Sequence, residues 1–354
     1  MVGLRQRIDQ LDRQLVELFN DRARVVVEIG QIKQRDNSPI YVPDREQHVL
    51  QQIRRSNCGP LPDSCLEAIW RELMSGSFAL ERALRVGFLG PAGSFSHLIA
   101  RRKFGASVEY NPLDSIQGVF DEVARDHIDL GLVPIENSTH GSVHETLDAL
   151  LDSQVYIYSE VLIGIHHNLL SNSSVDQIKK VYSKPEVFGQ CRQWLSVQLR
   201  DAERIAESSS AHAAQRAKDE PNSAAIGSSL AAELYGLQVQ FANIEDNPNN
   251  TTRFFVISRQ AARASGDDKT AMMFTTAHEA GSLASVLDVF RDHGLNLTHI
   301  DKRPSRRVNW EYYFFVDLIG HKDDQNVHAA IAEAQKHCLQ LTVLGSFPLA
   351  QEVL

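Results

Sequence analysis

The 354-residue chain has only four cysteines (Cys58, Cys65, Cys191 and Cys338), and no two of them form a CxxC pair. That excludes a disulfide-built scaffold and a cysteine-rich zinc site. No apolar run reaches the roughly 18–20 residues of a membrane span. The opening MVGLRQRIDQLDRQ is charged and periodic, unlike a secretory leader. Basic excess is also missing: the formal net charge is -9, which argues against nucleic acid or an anionic membrane as the partner. There is no GxGxxG fingerprint, no internal repeat and no low-complexity stretch. What remains is the expectation of a cytoplasmic, reducing-compartment protein of two or three domains, with no structural metal and no cofactor.

Three segments differ in pattern. Residues 1–83 read as all-helical. Leu4, Ile8, Leu11, Leu15 and Leu18 recur at helical spacing, and Val25, Ile29 and Ile32 extend the stripe. This predicts one helix of about thirty residues ended by Asn37-Ser38-Pro39, too long to fold back on itself and suited to packing on another chain. Pro43 opens a second helix, and Asp63 or Ser64 is expected to cap a third. Residues 85–262 alternate short apolar strands with helices, which predicts α/β layers with mostly parallel sheets, arranged as two lobes around a cleft. A polar linker follows, and residues 269–354 give a β-α-β-β-α-β pattern, an α+β ferredoxin-like unit whose third strand starts at Trp310.

Charges fall where the helical stripes call for core. Arg22 stands between Leu18 and Val25, and Lys33 lies about three turns further on, nearly on the same face. In the third helix Leu66, Trp70 and Leu73 lead to Ser77 and Glu81; in the second, Glu46 precedes Val49 and Ile53, with Arg45 beside it. Inward charges are costly unless paired. The pattern therefore means either a buried salt-bridge network or a cationic pocket for a small dianion. Arg5 and Arg22 would stand roughly 25 Å apart on one straight helix, at about 1.5 Å per residue. Both can hold one small ligand only if two antiparallel copies share the sites, in a homodimer or larger homo-oligomer.

The stretch LRQRIDQLDRQLVELFNDRARVVVEIGQIK, followed by PDREQ, resembles the all-helical chorismate mutase family. The resemblance implies that Arg5 of a partner chain, Arg22 and Arg45 hold the chorismate carboxylates. It implies that Lys33 and Glu81 hydrogen-bond the ether oxygen, with Glu46 and Ser77 at the ring hydroxyl. The rearrangement is pericyclic, so electrostatic preorganisation of a compact conformer is the whole mechanism. An ionised Glu81 offers an ether only lone pairs, so mutase activity is expected to rise toward mildly acidic pH.

In the middle segment, single motifs are weak evidence. The glycine-rich turn at 90–93 suits any tight strand-to-helix connection, and Ser208-Ser209-Ser210 reads as a helix N-cap. Taken in order, GFLGPAGSFSH, PIENSTHGSV, HHNLL, YSKPEVFGQC, SSSAHAA, AAIGSSLAAELYGL and NNTTRFFVI resemble the prephenate dehydratase family over residues 85–258. The resemblance implies a two-lobed, periplasmic-binding-like core with the substrate in the cleft and Thr252 as the candidate proton-donating group. Glu136, Asn137, Ser138, Ser209, Ser210 and Asn250 would surround it. Phe254 would complete the motif, and Arg253 would either hold a carboxylate or brace the strand. A threonine hydroxyl is a weak acid, so it needs a polarised network.

In the last segment, Gly281-Ser282-Leu283, Gly294-Leu295-Asn296-Leu297 and Asp301-Lys302-Arg303-Pro304 resemble the ACT regulatory domain. That implies phenylalanine bound near Gly281, Ser282, Leu283, Leu295, Asn296 and Leu297, and a phenylalanine-regulated enzyme acting on chorismate and prephenate. Rival readings are arogenate as the second substrate, or a non-catalytic amino-acid sensor. A dehydrogenase is disfavoured by the missing nucleotide fingerprint.

Overall fold

The structure, a computed structural model, describes residues 1–36, 38–305, 311–350 and 352–354. The expected helix stop at Asn37 and strand start at Trp310 lie outside the described residues. By internal packing the chain divides into two units, Met1–Arg85 with Lys103–Glu109, and Val86–Arg102 with Tyr110–Leu354.

The first unit is built on α1 (Val2–Arg35), α2 (Pro43–Ser56) and α3 (Asp63–Glu81). Pro43 opens α2 as expected, since a first-turn residue has no helical N–H bond to lose. The expected cap on α3 is absent: Pro62 holds that position, and Asp63 instead accepts a bond from the Asn57 amide at 2.6 Å. α1 and α3 approach closely at Gly30, where a Cβ would stand 3.1 Å from Glu81 Cγ. Of α1, only Val26 and Gly30 are buried. The stripe that reads as core is exposed in the single chain, Leu18 at 62 %.

The first lobe contains β1 (Arg85–Leu89), α4 (Phe95–Phe104), β2 (Glu109–Leu113), α5 (Ile116–Ala124), β3 (Leu130–Asn137), β4 (Gly141–Ser142), α6 (His144–Leu151) and β5 (Tyr156–Gly164), of which Arg85 and Lys103–Glu109 pack with the first unit and the rest with the second. The second lobe contains β6 (Asn168–Ser171), β7 (Lys180–Ser183), α7 (Pro185–Gln190), α8 (Arg192–Gln198), β8 (Glu203–Ala206), α9 (Ser210–Asp219), β9 (Ser223–Gly227), α10 (Ser229–Tyr235) and β10 (Gln238–Phe241). β11 (Thr251–Ser258) then returns to the first sheet, giving the orders β2-β1-β3-β11-β5 and β10-β6-β9-β7-β8. Two lobes are present, but the sheets are mixed rather than mostly parallel. Because β11 re-enters from the second lobe, it runs antiparallel to both β3 and β5. The parallel pairs β1/β3, β7/β8 and β7/β9 put carboxyl ends on one edge of each sheet, where open α/β sheets bind ligands. The two lobes meet there: Ser228 and Tyr235 hydroxyls donate to the Gly93 and Ala92 carbonyls, each at 2.9 Å.

The carboxy-terminal part has β12 (Asp268–Thr275), α11 (Ser282–Asp292), β13 (Leu297–Pro304), β14 (Tyr312–Ile319), α12 (Gln325–Ala334) and β15 (Gln340–Pro348), in sheet order β13-β14-β12-β15. Alternating side chains give this sheet two apolar faces. Met272, Phe274, Val316 and Leu318 pack with Val286, Phe290 and Val327 of the two helices. Ala271, Met273, Phe315 and Phe347 share one core with Val133, Ile157, Phe255 and Ile257 of the first lobe. At Gly345 a Cβ would stand 2.2 Å from the Ile157 carbonyl oxygen, so backbone packs on backbone. This sheet covers the first lobe and is not an appended module.

Candidate active sites

The charged residues of α1–α3 gather as their helical spacing implies. Arg22 donates to Ser77 Oγ at 2.8 Å, and Ser77 donates to the Leu73 carbonyl at 2.7 Å, so the serine aims the arginine. Burial, then the Arg45 charge, pulls the Arg22 guanidinium below its ordinary value. Among the described residues neither arginine forms an ion pair, so two cations stand ready for an anion. Lys33 donates to Glu81 Oε2 and to the Ile40 carbonyl, both at 2.9 Å. This changes the role expected of Glu81: its carboxylate is the counterion of Lys33, and the ammonium keeps a third N–H for a ligand. Glu46 is buried, and its Oε2 accepts from the Tyr41 hydroxyl at 2.7 Å and from Lys103 at 2.6 Å. Arg5 lies exposed near the far end of α1, away from this cluster on the same helix.

The second cluster lies at the cleft edge of the first lobe. Asn137 ends β3, and its Oδ1 accepts the Thr139 and His140 backbone N–H groups, both at 3.0 Å, as Asx turns do. That fixes the amide orientation, so the Asn137 NH2 donates to Asn250 Oδ1 and to Thr252 Oγ1, both at 2.8 Å. With a lone pair of Oγ1 so engaged, the Thr252 proton is directed elsewhere. Ser138 is used structurally, accepting the Thr251 N–H at 3.0 Å. A cavity of about 310 Å³ adjoins the cluster, lined by His140 and Asn250, by Glu186 and Gln190 of α7, and by Glu245 and Asp246. Glu245 ties the two crossovers between lobes, accepting from His166 Nδ1 at 2.8 Å and the His167 N–H at 2.9 Å. Burial pushes the Glu245 carboxyl up, but these bonds outweigh it and hold it below its ordinary value. Ser209 caps α9, its Oγ accepting the His212 N–H at 3.0 Å. Topology puts Ser209 and Ser210 on the cleft edge, after β8; among the described residues no hydrogen bond joins them to Thr252.

Strand register bears on two expected site residues. Thr252 pairs with Asn137, and Arg253 pairs with Glu136. Paired residues share a face, and successive residues alternate. Arg253 and Glu136 therefore point away from the Thr252 side. Arg253 is buried with Glu160 at 2.7 Å and Asp317 of β14 at 2.5 Å, an ion-pair arrangement that suits bracing the strand. Burial lowers its guanidinium, and Asp317 and Glu160 more than offset this, leaving it raised. Glu136 meets His299 of β13 at 3.4 Å, and Phe254 is buried at 3 % exposure. In the carboxy-terminal part, Leu295 is core, and Leu283 and Leu297 pack against it. Gly281 takes φ 88° at the N-cap of α11, Ser282 is half-buried and Asn296 is exposed. Of the expected effector residues, Gly281, Ser282 and Asn296 are the ones outside that core and its packing shell.

Sequence reading missed Tyr41, Lys103, His140, Gln190, Glu160, Asp317 and His299. His140, Gln190, His299 and Asp317 stand inside recognised motifs without a role being evident there; Tyr41 bonds Glu46 five residues on, and Lys103 and Glu160 act through contacts distant in sequence.

The fold and its two polar clusters define a chain with two separate small-molecule sites and a ferredoxin-like sheet packed on the second. Family models agree part by part: Chorismate mutase type II matches residues 4–82, Prephenate dehydratase 86–262 and ACT domain 274–334. Bifunctional chorismate mutase/prephenate dehydratases of Stutzerimonas stutzeri and Aquifex aeolicus are 41 % and 40 % identical, each alignment covering 98 % of this chain and 97 % of the relative. The solved prephenate dehydratase of Arthrobacter aurescens in complex with L-Phe superposes with TM-score 0.70 at 31 % identity, covering 75 % of this chain and 90 % of that one. That of Staphylococcus aureus gives 0.66 at 30 %, covering 75 % and 100 %. The chain belongs to the bifunctional chorismate mutase/prephenate dehydratase family.

Proposed function

We propose that the chain converts chorismate to prephenate at the helical cluster and prephenate to phenylpyruvate at the interlobe cleft. The observation that carries the second step is the Asn137–Thr252–Asn250 network. Loss of the ring hydroxyl with carbon dioxide needs a proton at the departing oxygen while the carboxylate's C–C bond breaks and its electrons enter the ring. Asn137 holds Thr252 as a donor toward that oxygen, and His140, which meets Asn137 Oδ1 at 3.1 Å, lines the adjoining cavity. At the first site, Arg22 and Arg45 hold the carboxylates, and Lys33 donates its remaining N–H to the ether oxygen as negative charge develops there.

The mutase site is completed by a second copy of the chain. Arg5 cannot reach Arg22 along the straight α1, and the exposed Leu4–Ile8–Leu11–Leu15 stripe suits antiparallel pairing. Phenylalanine is the effector, held near Gly281, Ser282 and Asn296. The L-Phe complex of the Arthrobacter aurescens protein supports this. A cytoplasmic setting accords with the low cysteine content. The test supplies purified protein with chorismate, prephenate or arogenate and identifies products. Phenylpyruvate from the first two is expected; turnover of arogenate alone contradicts the proposal.

A further inference from the structure

Residues 103–109 pack with α1–α3 as part of the first unit, although they lie beyond the residues 4–82 matched by the mutase family model. The packing is specific. Gly105 adopts φ +78°, and a Cβ there would stand 2.5 Å from Ser75 Cβ, so only glycine permits the approach. The Ala106 and Ser107 N–H groups donate to Glu72 Oε2 at 3.0 Å and Ser75 Oγ at 2.9 Å, and Phe104 meets Tyr41 edge-on at 5.2 Å. These contacts deliver the Lys103 ammonium to Glu46, with side chains only 15 % and 9 % exposed. Lys103 and Tyr41 both donate to Oε2. Among the described residues, Oε1 accepts no bond, so one carboxylate oxygen is held and the other is open.

We propose that Lys103 is a positioning residue of the mutase site: with Tyr41 it holds Glu46 oriented through Oε2, leaving Oε1 free to accept a hydroxyl proton from the ligand. Mutase activity in this chain then depends on a residue outside the helical segment 1–83. This rests on the mutase reading of the α1–α3 cluster. Among the described residues, the ionisable groups that bond Glu46 are Lys103 and Tyr41.

The experiment uses full-length protein, with dehydratase turnover of supplied prephenate as the folding control. Lys103→Met should lower mutase kcat/KM by about 10- to 100-fold, mainly through KM with kcat little changed. Lys103→Arg should restore most of the activity. In a Glu46→Gln background Lys103→Met should change little, because no charge remains to be held. Mutase kcat/KM within 2-fold of wild type across pH 5–9, or equal losses in both backgrounds, overturns the proposal. If Lys103→Met does not fold, Lys103→Gln takes its place under the same criteria. A wild type without mutase turnover sinks the reading of the cluster itself, which an active wild type with an indifferent Lys103 does not.

Discussion

Asp317→Asn tests the buried charge group behind Thr252. Arg253 and Lys269 face Glu160 and Asp317, with side-chain exposures of 8 %, 12 %, 0 % and 5 %. The quartet is neutral. Asparagine keeps the shape but leaves one positive charge uncompensated. Breaking a buried pair from one side costs about 3–5 kcal/mol. At about 2–4 °C per kcal/mol for a domain of this size, the unfolding midpoint should fall by roughly 6–20 °C. Adding Lys269→Met restores neutrality and should recover part of the loss, although Lys269 also bonds Glu160 at 3.0 Å. Since Thr252 precedes Arg253 on β11, dehydratase turnover should weaken in the single variant and recover in the double one. Thermal unfolding followed by circular dichroism at pH 7.5 reads the first effect. A shift under about 3 °C, or a double variant destabilised by the sum of the singles, refutes the reasoning.

Other outcomes follow from the same geometry. Burial first, then Arg101, lowers the His97 imidazole from 6.5, and burial lowers that of His167. As pH falls below 6.5, the unfolded chain gains protons that these folded imidazoles resist, so stability is lost on the acid side. Denaturation midpoints between pH 7.5 and 5.5 should show the drop, and His97→Gln, which keeps an acceptor for the Gly93 N–H, should flatten it. The Cys191 thiol is buried and pushed up to about 12, so a thiol reagent at pH 8 should modify exposed Cys58 and spare Cys191 until the chain unfolds. Arg5→Ala and Arg22→Ala proteins, each inactive as a mutase, should regain activity when mixed and reassembled, because a mixed dimer contains one site with neither defect. No recovery despite proven subunit exchange argues against a shared site.

Much of the architecture is legible in spacing alone, and its gaps have physical causes. Stripes of period 3.6 announce α1–α3, and β1, β8, α4 and α10 fall where the apolar runs put them. β2 contains Pro112, which argues against a strand interior, and β6 and β10 begin on polar Asn168 and Gln238 and carry no apolar run longer than two residues. The length of the α1 stripe points to packing on another chain, and in the single chain the stripe is exposed accordingly. In the cleft, residue types identify Asn137 and Thr252, but the pleat separates them from their neighbours Glu136 and Arg253. That register depends on pairing between strands more than a hundred residues apart. Lys103 reads as an ordinary helix surface residue, since nothing local reveals that its partner is Glu46.

The division of labour between the two sites is best tested by giving chorismate to the Thr252→Ala protein and following products over time. Thr252 is held by Asn137 in a cluster that shares no residue with Arg22, Arg45 or Lys33. Chorismate should therefore disappear at close to the wild-type rate while prephenate accumulates, with phenylpyruvate formation reduced on the order of 10²–10⁴-fold. Phenylpyruvate produced within a few-fold of the wild-type rate would contradict the assignment of Thr252, and equal loss of both reactions would contradict the separation of the sites.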